Sequence, residues 1–193
     1  MSTKSAVLVS EIVGTFLLAS AVLAGLNPAV AYGIWALLFG SLSGSHLNPA
    51  ASTGLAVVNR FSPTTMLWYW AAQVGGAVSA RLAYVYLQPI SANVGWKFAA
   101  FTTHDFLVEV AGAAILVLGM IVAMKHKYTG VALGVAVGGT YYLGGIWGGV
   151  INPAVALATN QISFATLFGP LVGAALGGWL GNALADKIKP YKA

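Results

Sequence analysis

Long apolar stretches, separated by short polar turns, run through the whole sequence. An α-helix needs about 20 residues to cross a hydrocarbon core of roughly 30 Å. The apolar pattern predicts six such transmembrane helices. We place them near residues 5–26, 29–44, 64–87, 104–124, 129–147 and 163–185. The connection between the first two helices is very short and consists of Leu26, Asn27 and Pro28.

Two shorter apolar stretches, at about 48–59 and 152–160, are predicted to be half-helices. Each begins with the tripeptide Asn-Pro-Ala, at Asn48-Pro49-Ala50 and at Asn152-Pro153-Ala154. Asn is a favourable N-cap, and Pro is tolerated at the first helical position because its missing N–H had no partner there. About eleven residues rise about 16 Å, roughly half the bilayer. Half-helices that enter from opposite sides would therefore meet near the midplane.

A third copy of the tripeptide, Asn27-Pro28-Ala29, lies in the turn before the second span. Asn followed by Pro is an ordinary helix start. No glutamate stands upstream at the distance found for the other two copies. We therefore interpret this copy as a helix cap without a further role.

The two halves of the chain resemble each other. Glu11-Ile12-Val13-Gly14 matches Glu109-Val110-Ala111-Gly112. Each half, at about 5–88 and 103–186, holds three spans, and an odd number requires the halves to have opposite orientation in the membrane. The sequence thus predicts one transmembrane domain of residues 1–193. Its fold class is an all-α membrane protein with six transmembrane helices and two re-entrant half-helices in an inverted repeat.

The composition supports this assignment. Hydrophobic residues make up 59% of the chain and charged residues 7%, with a mean hydropathy of +0.83, whereas soluble domains carry about 25% charged residues. The absence of cysteine excludes disulfides and thiolate metal sites. No nucleophile–base pair or metal cluster is evident, so we expect neither an enzyme nor a cofactor.

The positive charges predict the orientation. With both termini in the cytoplasm, most lysines and arginines lie on the inner side, as the positive-inside rule requires. The inner residues are Lys4, Arg60, Lys125, Lys127, Lys187, Lys189 and Lys192, and the outer ones are Arg81 and Lys97. Because these charges cluster at membrane edges, the net charge of +5 does not indicate nucleic-acid binding. We expect a multi-pass protein of the cell membrane.

Taken in order, five segments resemble the signatures of the aquaporins and aquaglyceroporins, the major intrinsic proteins. These segments are Glu11–Thr15, Ser43–Ala50, Ala72–Ala77, Gly149–Ala154 and Gly169–Ala174. The resemblance covers nearly the whole chain. It implies six tilted helices and two half-helices around one pore, with four identical protomers in the assembly.

Four polar residues within the apolar pattern are interpreted as structural. A charge at the bilayer centre costs at least ~2.5–3.5 kcal/mol. The resemblance implies that Glu11 and Glu109 accept hydrogen bonds from irregular backbone beside each half-helix; a proton relay is the alternative. His46, two residues before Asn48, is taken as a structural donor, and a pH-sensing role is its alternative. Gln73 belongs to the third-span signature and joins this group.

The two asparagines suggest how solutes would be selected. The amides of Asn48 and Asn152 offer N–H donors, and each half-helix N-terminus carries about half a positive charge. Together they would hold a water molecule with its oxygen towards the asparagines and its hydrogens along the pore in opposite directions, which interrupts a proton wire. The same fields oppose cations. Two isolated helix caps are the alternative interpretation.

The sequence departs from the family at the selectivity filter that the resemblance implies. Most relatives carry arginine directly after the second Asn-Pro-Ala, and this chain has Val155. Counting back from the second motif gives Thr140 in the fifth span and Gly149 in the loop. The second-span position is Pro28 by ungapped counting, or Tyr32 if one turn is deleted. Such a filter would be wider and more apolar than usual, without a fixed cation.

These features favour a passive channel for water and small neutral solutes such as glycerol, set in the lipid bilayer as a homotetramer. One alternative is a junctional or scaffold membrane protein with the same fold and little conduction. Another is a pore for ammonia, urea or ions. The complete Asn-Pro-Ala pair favours conduction, whereas the missing arginine and the short first connection leave the alternatives open.

Overall fold

The computed structural model describes residues 3–87, 95–127, 130–185 and 187. Within them the chain forms eight α-helices. They are α1 (Thr3–Leu23), α2 (Pro28–Ser43), α3 (Pro49–Val57), α4 (Pro63–Leu87), α5 (Thr103–Lys125), α6 (Gly130–Gly145), α7 (Pro153–Thr159) and α8 (Phe164–Ala185). The six predicted spans and both half-helices are confirmed. Lys189, Lys192 and the predicted repeat ends at 88 and 186 lie outside the described residues.

All three copies of the tripeptide begin a helix. The side-chain oxygens of Asn27, Asn48 and Asn152 each accept a hydrogen bond from the backbone N–H two residues later, at 2.9, 2.8 and 3.0 Å. In each helix proline occupies the first position, where no N–H is needed. The interpretation of the Asn27 copy as a helix cap is therefore confirmed.

The helices differ in how far they can cross a membrane. Among the described residues, α1, α5 and α8 are long and apolar enough to span it by themselves. The helix α4 has 25 residues but carries Gln73 and Arg81. The helices α2 and α6 have 16 residues each and rise about 24 Å, somewhat less than the hydrocarbon core.

The second half repeats the packing of the first. The helix α1 packs on α2 and α4, as α5 packs on α6 and α8. The halves join where α2 lies along α6, and each half-helix packs on the last helix of the other half, α3 on α8 and α7 on α4. The half-helices also touch each other. Both are thereby enclosed by the long helices.

Glycine allows α2 and α6 to approach closely. A β-carbon at Gly33 would lie 2.9 Å from the carbonyl oxygen of Gly134, and one at Gly134 would lie 2.7 Å from that of Gly33. Both distances are too short for a real side chain. Small residues at such crossings bring helix backbones together in lipid. This contact sets the distance between the two helices that carry the tyrosines described below.

Candidate functional site

The N-terminal ends of α3 and α7 meet at Asn48 and Asn152. Asn48 Nδ2 donates to the carbonyl of Ile151 at 3.0 Å, and Asn152 Nδ2 donates to the carbonyl of Leu47 at 3.0 Å. Each asparagine thus binds the residue that directly precedes the other one. Both are fully buried, so neither faces lipid. Each side-chain amide carries a second N–H besides the one used in this bond.

The residue before each asparagine has a strained backbone. Leu47 has φ 43° and Ile151 has φ 49°, both in the left-handed region. Such a conformation costs about 1–3 kcal/mol for a residue other than glycine and persists only where the surroundings hold it. The turn at these two positions therefore needs anchors, and the two buried glutamates supply them.

Glu11 anchors the first turn with both carboxylate oxygens. Oε1 accepts from the backbone N–H of His46 at 3.0 Å and from the hydroxyl of Ser43 at 2.5 Å. Oε2 accepts from the N–H of Leu47 at 2.8 Å and from Nε2 of Gln73 at 2.8 Å. Four donors around one buried carboxylate offset its loss of hydration.

Glu109 anchors the second turn in the same way. Its two oxygens accept from the backbone N–H groups of Val150 at 2.7 Å and Ile151 at 2.6 Å. In each half the glutamate binds two consecutive N–H groups of the turn before the asparagine. This is the arrangement that the family resemblance implies for the two carboxylates.

His46 belongs to the network around Glu11. Gln73 Nε2 donates to the hydroxyl of Ser52 at 3.0 Å, and that hydroxyl lies 3.1 Å from His46 Nδ1. The Ser52 hydroxyl therefore links the Gln73 amide to the imidazole of His46. The ring packs against Phe61 and Tyr69, with centroids at 5.3 and 4.6 Å. The structure thus brings His46 and Gln73 into one structural cluster.

Thr140 does not join the asparagine site. Its side chain packs on Gly119 of α5, and its hydroxyl donates to the carbonyl of Ala136 in its own helix at 2.8 Å. Counting along the fifth span predicts Thr140 as a filter residue, and the next residue, Tyr141, is the one that is buried between α2 and α6. Tyr141 is 4% exposed.

Tyr32 and Tyr141 meet between α2 and α6. Their ring centroids lie 5.2 Å apart in an edge-to-face arrangement with an interplanar angle of 77°. The Tyr32 hydroxyl donates to the carbonyl of His46, and the Tyr141 hydroxyl donates to the carbonyl of Val150 at 2.6 Å. Each carbonyl stands two residues before an asparagine. The two hydroxyls therefore bind equivalent backbone carbonyls in the two halves of the chain.

A cavity of about 280 Å³ opens beside this pair. Its lining residues are Asn27, Pro28, Ala29, Tyr141, Tyr142, Gly145, Ile146 and Gly149. Both Pro28 and Gly149 therefore line this cavity, whereas Tyr32 is fully buried. Val155 is 2% exposed and packs in the same apolar cluster as both tyrosines.

The other end of α7 is held by Arg81, which the sequence places only as an outer charge. Its guanidinium donates to the carbonyl of Ala158 at 3.2 Å and to that of Gly95 at 3.3 Å, and lies 5.8 Å from the Trp96 ring centroid. Trp96 Nε1 donates to the carbonyl of Leu157 at 3.1 Å. A cation at a helix C-terminus is favourable. This buried arginine therefore stabilises the second half-helix at its C-terminal end.

Comparison with known proteins agrees with this architecture. The family model described as "Major intrinsic protein" matches residues 25–180. The chain is 30% identical over 203 residues to glycerol uptake facilitator protein 3 of Lactiplantibacillus plantarum, covering 85% of this chain and 81% of that protein. It is 29% identical over 201 residues to aquaporin NIP2-1 of Oryza sativa subsp. japonica, covering 89% and 67%.

A solved structure has the same fold. The aquaglyceroporin from Plasmodium falciparum superimposes with a TM-score of 0.69 over 96% of both chains, at 21% sequence identity. At that identity the likeness concerns the fold alone.

Proposed function

The chain belongs to the major intrinsic protein family of membrane channels, and from that premise we propose that it is a passive channel for water and small neutral solutes such as glycerol. The names of the relatives support this class of solute, since one is a glycerol uptake facilitator and another an aquaporin. No chemical step is needed for this function. The protein only has to provide hydrogen-bond partners for the solute along the pore.

The observation that carries the proposal is the reciprocal bonding of Asn48 and Asn152. It fixes both amides at the meeting point of two helix N-termini, each equivalent to roughly half a positive charge. The second N–H of each amide can donate to the oxygen of a passing solute. A water held by both asparagines is oriented with its hydrogens pointing away from them, which interrupts proton transfer.

The proposed filter has no fixed cation. Val155 stands where most relatives carry arginine, and the sequence has no charged residue between Lys127 and Asp186. Of the positions expected from the sequence, Tyr32, Gly149 and Val155 remain in the proposed filter. Without arginine, we expect weak discrimination between water and small polyols and a larger proton leak than in relatives that have it.

We also propose that the protein is a homotetramer in the cell membrane with both termini in the cytoplasm. The distribution of lysine and arginine supports the orientation. Large apolar side chains such as Leu67, Val131, Val135 and Trp179 are more than half exposed on the single chain. Lipid or neighbouring protomers would cover them.

Stopped-flow light scattering on proteoliposomes tests the function. Vesicles with and without the protein are exposed in turn to gradients of an impermeant osmolyte, glycerol and urea. We expect water and glycerol flux above that of protein-free vesicles. Protein that is folded but leaves every flux at the protein-free level would support the scaffold alternative. Flux of urea or ions without water and glycerol would support the alternative pore.

A further inference from the structure

A polar cavity of about 440 Å³ lies beside Glu109 and the second turn. It reaches the N-terminal end of α5, where the side chains of His104 and Asp105 are 81% and 57% exposed, and small molecules can enter it there. No lysine or arginine of the described residues lines it. The two carboxylates therefore make this space, the Glu109 cavity, electronegative. Its lining includes the polar residues Asp105, Glu109, Asn160, Gln161, Ser163 and Thr166.

The carboxylate of Glu109 has fewer hydrogen-bond donors than that of Glu11. Glu11 accepts from two backbone N–H groups and from the side chains of Ser43 and Gln73. Within the described residues, Glu109 accepts from two backbone N–H groups and from no side chain. An ionised carboxylate has about four acceptor sites, and Glu109 is 2% exposed. The donors that complete its surroundings therefore have to come from an occupant of the Glu109 cavity.

The sequence explains why the second half lacks these side-chain donors. Aligned on the Val-Gly pair that α4 and α8 share, Gln73 corresponds to Leu171. Aligned on the two Asn-Pro-Ala motifs, Ser43 corresponds to Trp147. Leucine has no donor, and Trp147 is 58% exposed and lines the Glu109 cavity. The two halves thus share the anchoring glutamate but differ in what surrounds it.

The lining of the Glu109 cavity favours an organic cation as the occupant. Asp105 lies one helical turn before Glu109, so the two carboxylates share one face of α5. The ring of Trp147 offers a surface for a cation and its carbon atoms. No three potential metal ligands among the described residues are grouped closely enough to hold a metal ion. A ligand with one positive charge, N–H donors and a small apolar part matches this lining.

From these observations we propose that the Glu109 cavity is a binding site for a small organic ammonium ion. Its N–H groups donate to the carboxylates of Glu109 and Asp105, and its carbon atoms lie against Trp147. The bound ion takes the place of the two side-chain donors that Glu11 has in the first half. It thereby stabilises the carboxylate that holds the turn before Asn152.

Binding to the purified protein in detergent tests this site. Titration calorimetry at pH 7 and constant ionic strength measures the Kd of ethylammonium, which has a charge and N–H donors. Tetramethylammonium has the charge without N–H, potassium is a bare cation, and glycerol has donors without charge. At ten times its Kd, ethylammonium should raise the thermal unfolding midpoint by about 3–6 °C. Because binding rather than flux is measured, the result does not depend on the proposed channel function.

Three variants assign the binding to the cavity. Asp105→Asn removes one carboxylate at an exposed position and should raise the Kd of ethylammonium about tenfold or more. Leu171→Gln offers Glu109 the donor that Gln73 offers Glu11, and should also weaken binding. Lys97→Gln is the control, because it changes the net charge by one unit without touching the cavity lining. Its Kd should not rise. Asp105→Asn keeps the test valid if Leu171→Gln does not fold.

We expect ethylammonium to bind and to stabilise wild type, with no equal effect of the three other solutes. Absence of ethylammonium binding would show that water alone fills the cavity and would overturn the proposal. Equally tight binding of tetramethylammonium, potassium or glycerol would overturn the ammonium recognition. A Kd that is unchanged in Asp105→Asn would place the binding elsewhere, and one that is unchanged in folded Leu171→Gln would contradict the replacement of the missing donor.

Discussion

The side chain of Leu47 packs against Gly14, three residues after the glutamate that binds the Leu47 amide. A β-carbon at Gly14 would lie 2.6 Å from Leu47 Cδ2. In the other half, one at Gly112, three residues after Glu109, would lie 2.5 Å from Ile151 Cγ2. The repeated Glu-x-x-Gly sequence therefore has a structural reason. The carboxylate binds the strained turn, and the glycine leaves room for the side chain of that turn.

Gly112→Ala is expected to destabilise the protein. The new methyl group would collide with Ile151 and with the backbone of Gly144, and overpacking of this kind costs about 1–3 kcal/mol. Gly75→Ala is the matched control, because nothing lies within 4 Å of a β-carbon there and alanine favours a helix. Thermal unfolding in detergent should show a lower midpoint for Gly112→Ala only. Equal midpoints would show that the second turn has room to move.

Glu109→Gln is expected to lower folded yield and thermal stability. The amide replaces one acceptor oxygen with a donor that faces a backbone N–H of Val150 or Ile151. An unsatisfied buried group costs about 1–3 kcal/mol. Glu11→Gln should act in the same direction. Asp105→Asn, an exposed change one turn earlier on α5, serves as the control.

The same glutamate variants distinguish anchoring from proton relay. We measure their proton flux in vesicles beside their unfolding midpoints. Variants that fold with normal midpoints and lose only proton movement would contradict the anchoring role and favour a relay. Lower midpoints, with any loss of flux in proportion to the folded fraction, would support it.

Val155→Arg tests the proposed filter. An arginine narrows a pore, donates hydrogen bonds to a solute and repels cations. We expect a lower glycerol-to-water ratio and a smaller proton leak than in wild type, with Val155→Leu as an uncharged control of similar bulk. An unchanged ratio and leak in folded Val155→Arg would mean that position 155 does not line the constriction.

The sequence is sufficient to predict the helices because their signals are local. Apolar length specifies the spans, and Asn followed by Pro specifies three helix starts, including that at Asn27. The half-helices are recognisable because their apolar runs are too short to cross the membrane. Burial of Glu11 and Glu109 follows from placing a carboxylate within an apolar span, which requires a partner inside the protein.

The filter is harder to predict. Counting along the sequence identifies a residue, but it does not give the rotation of the helix and therefore the direction of the side chain. Counting predicts Thr140 as a filter residue, and the structure places its side chain against Gly119 of α5 with its hydroxyl bonded within its own helix. Tyr141 then points inwards and meets Tyr32. Of the two alternatives for the second span, Pro28 lines a cavity and Tyr32 is fully buried. Which of these residues limits the passage of a solute depends on contacts between α2 and α6, and no local sequence pattern encodes those contacts.

Arg81 is another residue whose contacts the sequence does not predict. Its charge places it near a membrane edge, and the positive-inside rule assigns that edge to the outer side. Its contact with Ala158 at the end of α7 depends on how α4 packs against the other half of the chain. Such a long-range contact cannot be predicted from the sequence near either residue.

The most direct test of the channel account is water and glycerol flux in vesicles that contain wild type, Asn48→Asp, Asn152→Asp or Asn27→Asp. Aspartate keeps the helix cap but removes the N–H donors and adds a negative charge. Asn27→Asp makes the same change at the third helix start. We predict flux above protein-free vesicles for wild type and Asn27→Asp, and about a tenfold or greater loss for the other two. Equal flux in all four folded proteins would contradict the account, because the paired asparagines would then lie off the path of the solute.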